Sequence, residues 1–114
     1  MKIIDRPISL ADVWENREQR FDELLKAVVD VEKSIMAVDG EMHSDLEALL
    51  LDAGSAQSGL WGINMYPGKN RSGDEFIEFT SFINIRPVQN NKSMEVLDPS
   101  IRQKIKNIVS SLLI

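Results

Sequence analysis

A chain of 114 residues with a formal net charge of −5 is one domain's worth of polypeptide, able to bury about two-thirds of its unfolded surface without staples. Its 43% hydrophobic and 27% charged content excludes a disordered chain, and the absence of cysteine excludes disulfides, cysteine-zinc sites and thiol catalysis. No unbroken apolar stretch exceeds Ala48–Leu51, which excludes a membrane span, and Met1–Asp5 lacks the apolar region of a secretory signal. A single domain over residues 1–114, cytoplasmic and without a membrane partner, is therefore expected. Residues 1–57 carry 6 Lys/Arg against 13 Asp/Glu, and residues 58–114 carry 7 against 5. An acidic half and no basic run leave nucleic acid outside the expected partners.

In chain order, Ser9 with Asp12 three residues on reads as a capping box, followed by an apolar stripe through Leu10, Val13, Trp14, Phe21, Leu24 and Leu25 at helical spacing. Arg17 interrupts the stripe. From Val29 the period becomes two, with Val29, Val31, Lys33, Ile35 and Ala37 on one side. Asp39-Gly40 is then a hairpin signal, and a two-residue turn there pairs Ala37 with Met42 down to Val29 with Leu50. That register predicts a strand over Glu41–Leu51. The competing reading is a helix capped by Ser44 from Asp45 to Ala53 and ended by Gly54. A third strand is predicted over Leu60–Tyr66, with Trp61, Ile63 and Met65 on one face. A fourth spans Phe76–Arg86, with Ile77, Phe79, Ser81, Ile83 and Ile85 on one side and Glu78, Thr80, Phe82, Asn84 and Arg86 on the other. Pro87 ends it. Asp98-Pro99 opens a last helix whose stripe is Ile101, Ile105, Ile108, Val109 and Leu112.

The fold predicted from these elements is α+β: a four-stranded, largely antiparallel meander with an N-terminal and a C-terminal helix on one face. The second face is left open. Met36, Leu49, Tyr66 and Phe82 on that face are more apolar surface than a monomer leaves to water, so a homodimer or a protein partner there is expected. Trp14 and Trp61 fall on predicted buried stripes and read as core anchors.

The stretches Lys2–Ile8, Lys26–Glu32, Glu47–Leu51, Leu60–Pro67 and Ile83–Pro87 together resemble a family of small bacterial proteins known as a domain of unknown function. The resemblance spans nearly the whole chain. It implies a stand-alone bacterial cytosolic domain and carries over no catalytic residue.

Two constellations carry chemistry. On a strand, His43, Asp45 and Glu47 would share a face, with Glu32 opposite Glu47 and Asp30 nearby. An oxygen-rich group with one imidazole suits a divalent metal such as Mg²⁺ or Mn²⁺, the one cofactor the chain suggests. The same alternation also keeps an exposed face solvated, and on a helix the group falls apart. The second constellation is Asn64, Tyr66, Phe82, Asn84 and Arg86 on the open face, where amides orient a ligand and Arg86 offers a fork for a carboxylate or phosphate. There is no G-x-S-x-G, P-loop or G-x-G-x-x-G motif, and one histidine cannot serve several roles. The leading reading is thus a non-enzymatic binding or regulatory domain acting through the open face. The alternative is a metal-assisted hydrolase using His43, Asp45, Glu47 and Glu32.

Overall fold

Two runs, Leu25–Asp30 and Leu60–Met65, carry apolar residues at both odd and even positions, so each must be covered on two faces. In the computed structural model, which describes all of Met1–Ile114, they are the central strands β2 (Leu25–Asp30) and β4 (Leu60–Met65), antiparallel from Leu25 opposite Met65 to Asp30 opposite Leu60. Outside β2 lie β3 (Ile35–Val38) and then β1 (Lys2–Ile4), and outside β4 lies the two-residue β5 (Ile77–Glu78). The sheet is antiparallel throughout, in the order β1-β3-β2-β4-β5. Three helices complete the α+β fold: α1 (Leu10–Glu15), α2 (His43–Asp52) and α3 (Pro99–Leu112). No helix is long and apolar enough to cross a membrane.

The helices cover both faces of the sheet, which overturns the expected open face. On one face Ala27, Val29, Met36, Val38, Trp61, Ile63 and Met65 pack with Leu10 and Val13 of α1 and Ile105, Ile108, Val109 and Leu112 of α3. On the other, Val28, Ala37 and Leu60 pack with Leu46 and Leu50 of α2, with Ile83 and Leu49 at the margin. Residues 46 and 50 are one turn apart, so a helix brings both to Val28 at once. A strand over Glu41–Leu51 would have left that face bare, and tertiary burial favours the helix that the residue propensities also favour.

The hairpin lies elsewhere than expected. Asp30 stands opposite Ile35, and the turn is Val31–Ser34. The Asp30 carboxylate makes it, accepting the N–H groups of Glu32 and Lys33 at 2.9 Å, while Ser34 takes a left-handed φ of 57°. Asp39, also left-handed at 67°, instead binds the N–H groups of Glu18 and Gln19 through its carboxylate. That tie holds the segment after α1 away from helix, which is why α1 stops at Glu15 and the predicted run to Leu25 does not form. The Ser9 cap does form, accepting Asp12 N–H at 3.3 Å, as does the Asp98 cap of α3 on Ser100 N–H at 2.8 Å.

Ser81 crosses over the middle of β4. A Cβ built on Gly62 would lie 2.6 Å from Ser81 Cβ, closer than real carbons approach. Gly62→Ala should therefore destabilise the fold by about 1–3 kcal/mol through overpacking. Ser81→Gly added to that variant should restore part of the loss in urea unfolding, and equal stabilities for Gly62→Ala and the parent would contradict this close packing.

Candidate functional site

Past β5 the chain leaves the ladder, yet Leu60 and Gly62 of β4 still present backbone groups that need partners. Side chains supply them. Asn84, fully buried, accepts the Gly62 N–H at 2.8 Å and donates to the Gly62 carbonyl at 3.0 Å, so its carboxamide takes the place of a strand residue. Arg86 donates to the carbonyls of Gln57 (2.5 Å) and Leu60, and its guanidinium lies 3.9 Å from the centre of the Trp61 ring. Burial lowers the Arg86 pKa, and the charge of Glu47 on α2 opposes that shift. Asn91 closes the segment on itself: its amide reaches the carbonyls of Asn84, Ser93 and Glu95 at 2.7–3.0 Å and accepts Leu97 N–H at 2.9 Å.

Turning 84, 86 and 91 inward turns other residues outward. The segment forms two short 3₁₀ turns, Phe82–Asn84 and Pro87–Gln89, and presents Phe82 (78% exposed), Ile85 (43%) and Val88 (95%) to solvent. These are not frayed side chains on a loose loop, since the backbone beneath them is pinned by buried polar groups. The segment and the β4 stretch it seals carry almost no charge of their own: residues 53–66 contain no Asp, Glu, Lys or Arg, and residues 79–91 contain only the buried Arg86, whereas the neighbouring α2 carries Asp45, Glu47 and Asp52. Gln89 ties the two stretches together by donating to the Ser58 carbonyl at 3.0 Å.

A polar group sits at the other end of the α2 face. Asn64 and Tyr66 both donate to one oxygen of Glu78, at 2.8 and 3.1 Å. His43, in the first turn of α2, bonds the Ile63 carbonyl through Nε2 at 2.8 Å. A carbonyl only accepts, so Nε2 carries the proton in this contact. Burial lowers the His43 pKa, helped by the Lys26 charge, and the Ile63 carbonyl, the Asn64 amide and Glu78 offset it only in part.

The two constellations expected from the sequence are each divided. Asn64 and Tyr66 belong to the Glu78 group, Asn84 and Arg86 are buried framework, and only Phe82 lies on the apolar display. Arg86 has no carboxylate within ion-pair distance and is committed to carbonyls, so it is not a free fork for an anion. Of the metal candidates, His43 is bound to the sheet, Asp45 is exposed on α2, Glu47 turns its Oε2 into the interior without a hydrogen-bond partner, and Glu32 packs on Gly59 beside the β2–β3 turn. Asp30 is engaged by Ser55 at 2.6 Å. No three His, Asp or Glu side chains lie close enough to hold a metal ion, and the helical turn points Asp45 away from the face that His43 and Glu47 share. Ile85, expected on the covered side of a strand, lies on the surface beside Val88 of the loop that follows it. Their signal in the sequence is the nearly charge-free run around them.

Asn91→Ala leaves several buried backbone groups without a partner and should destabilise the fold by about 2–4 kcal/mol, measured by urea unfolding. His43 is the only histidine, so its ring proton titration reads one group. Its midpoint should fall below 6.5 in the folded chain. Because the folded pKa is lowered, the stability His43 contributes is complete above the unfolded value and is lost as pH falls through the folded one. The loss of stability between about pH 6.5 and the folded midpoint should be smaller in His43→Gln.

Neither a curated protein nor a solved structure matches this chain. A family profile described as "Protein of unknown function (DUF5674)" covers residues 2–112, the whole of the sheet and its three helices, and the chain therefore belongs to the DUF5674 family.

Proposed function

We propose that this chain is a non-enzymatic binding module that pairs with a second copy of itself through Phe82, Ile85 and Val88. The observation that carries this reading is the 78% and 95% exposure of Phe82 and Val88 on a backbone held by Asn84, Arg86 and Asn91. Apolar side chains already fixed in place lose little conformational freedom on association, which favours binding. The sheet face first expected to do this is covered by α2, so the binding surface moves to the loop that seals the edge of β4.

The charge pattern selects the occupant. Two copies, each with net charge −5, repel at most approaches, and a surface whose own segments bring almost no charge is where they meet with least repulsion. A charge-depleted apolar centre is also the composition of an interface core, and a two-fold pair would set the same patch against itself. The metal-assisted hydrolase reading has no comparable support, since His43, Asp45, Glu47 and Glu32 do not converge.

Light scattering over a concentration series tests the proposal. The parent chain should approach twice its 12.9 kDa monomer mass. Val88→Asp puts two carboxylates into the contact and should weaken association by at least about tenfold, with the thermal unfolding of the monomer unchanged. Phe82→Ser should act in the same direction. A monomeric parent at high concentration, or a dimer indifferent to both substitutions, would refute it.

A further inference from the structure

A groove of about 640 Å³ opens between the loop that joins β4 to β5 and the helix α3. Its volume is that of an ordinary small-molecule site. Phe76 and Phe79 form its floor, and three cations lie over their rings: Arg71 at 5.0 Å from the Phe76 centre, and Arg102 and Lys106 at 4.8 and 6.0 Å from that of Phe79. Arg102 and Lys106 are one turn apart on α3, which carries no acidic residue. The helix thus gives the groove a cationic wall.

Most charges here are already engaged. Lys69 pairs with Glu75 at 3.3 Å, Arg102 meets Glu95 at 3.9 Å, and Glu78 holds Tyr66 and Asn64. Arg71 donates to the carbonyl of Leu113 at the end of α3, with no carboxylate in ion-pair reach. Lys106 has neither a hydrogen bond nor an ion pair, and Asp74 is the one lining carboxylate without a partner. Arg71 and Lys106 are therefore the two lining cations that no carboxylate pairs, and Asp74 and the hydrogen-bonded Glu78 are the two lining carboxylates that no cation pairs.

We infer that this groove binds an organic monoanion: a carboxylate placed at Lys106 and Arg71, with an apolar or aromatic body against the edges of Phe76 and Phe79. A dianion such as phosphate suits it less, since Asp74 opposes the second charge and the phenylalanine floor offers phosphate no hydrogen-bond donor. This site is independent of the self-pairing surface, sharing no residue with Phe82–Val88.

The test is calorimetry and thermal unfolding of the full chain with 3-phenylpropionate, 3-phenylpropanol and inorganic phosphate as probes. A saturable shift with 3-phenylpropionate, absent with the alcohol and weaker with phosphate, is expected. Lys106 is exposed and Lys106→Met should weaken 3-phenylpropionate at least about threefold, whereas Asp74→Asn should tighten it about twofold. A gain in affinity cannot come from a damaged fold. The inference fails if 3-phenylpropionate does not bind, if the alcohol or phosphate binds equally well, or if neither substitution changes its affinity.

Discussion

The carboxamide of Asn84 on the backbone of Gly62 is the contact on which the outer half of this molecule depends. An antiparallel edge offers an N–H and a C=O from the same residue, and a primary amide offers the matching acceptor and donor, so one side chain closes a position that would otherwise take another strand. Because Asn84 does this from a 3₁₀ turn, β5 ends after two residues and the chain is free to cross the sheet at Ser81. The crossing needs Gly62 to lack a side chain. It also sets the direction of everything that follows: Arg86 lands on Leu60 and Trp61, and Asn91 receives the returning strand of loop. A long bare sheet edge is a template for unspecific pairing, and here it is sealed by polar side chains whose outward neighbours are apolar.

Arg86 is the most demanding member of this framework. Its guanidinium is buried against Trp61 with two carbonyls and no carboxylate in contact, while Glu47 faces it from α2 with one oxygen unpartnered. The two charges are close enough to sense each other and tie the display segment electrostatically to the helix beside it. The stability of α2 on the sheet and the posture of Phe82–Val88 are for that reason coupled, as neighbours in one network are.

The two surfaces identified differ in chemistry because they lie on different parts of the charge pattern. The display lies where residues 53–66 and 79–91 bring almost no charge to the surface, so the pairing proposed for it would be apolar and shape-driven. The groove lies against α3, the basic end of an otherwise acidic chain, so its binding is selected by charge. Nothing in the packing makes one exclude the other. A ligand in the groove contacts α3 and the β4–β5 loop, whereas the display contacts α2 and the edge of β4.

Much of the fold was legible in the chain because it is written locally. The caps at Ser9 and Asp98, the stripe of α3 and the alternation of β4 each rest on residues a few positions apart, and all appear where expected. The α+β class follows from them. What could not be read locally was the choice between two conformations that one pattern fits equally. Glu41–Leu51 satisfies a hairpin register and an amphipathic helix alike, and only the need to cover Val28, Ala37 and Leu60 selects the helix. Asp39-Gly40 has the composition of a tight turn, but the Asp39 carboxylate is drawn to backbone groups 20 residues earlier in the chain. Phe76–Arg86 alternates like a strand, yet Asn84 binds Gly62 with its side chain, and that changes the face to which each neighbour points. The candidate residues fall into other groups than alternation suggested: Asn64 and Tyr66 on Glu78, Asn84 and Arg86 on the backbone of β4, and Phe82 on the surface. The local pattern by itself determined the starts of α1, β4 and α3 and the apolar stripes they bury. Whether a buried amide or arginine reads a ligand or completes the sheet was decided by tertiary structure, because unpaired backbone groups brought in from distant residues are satisfied first.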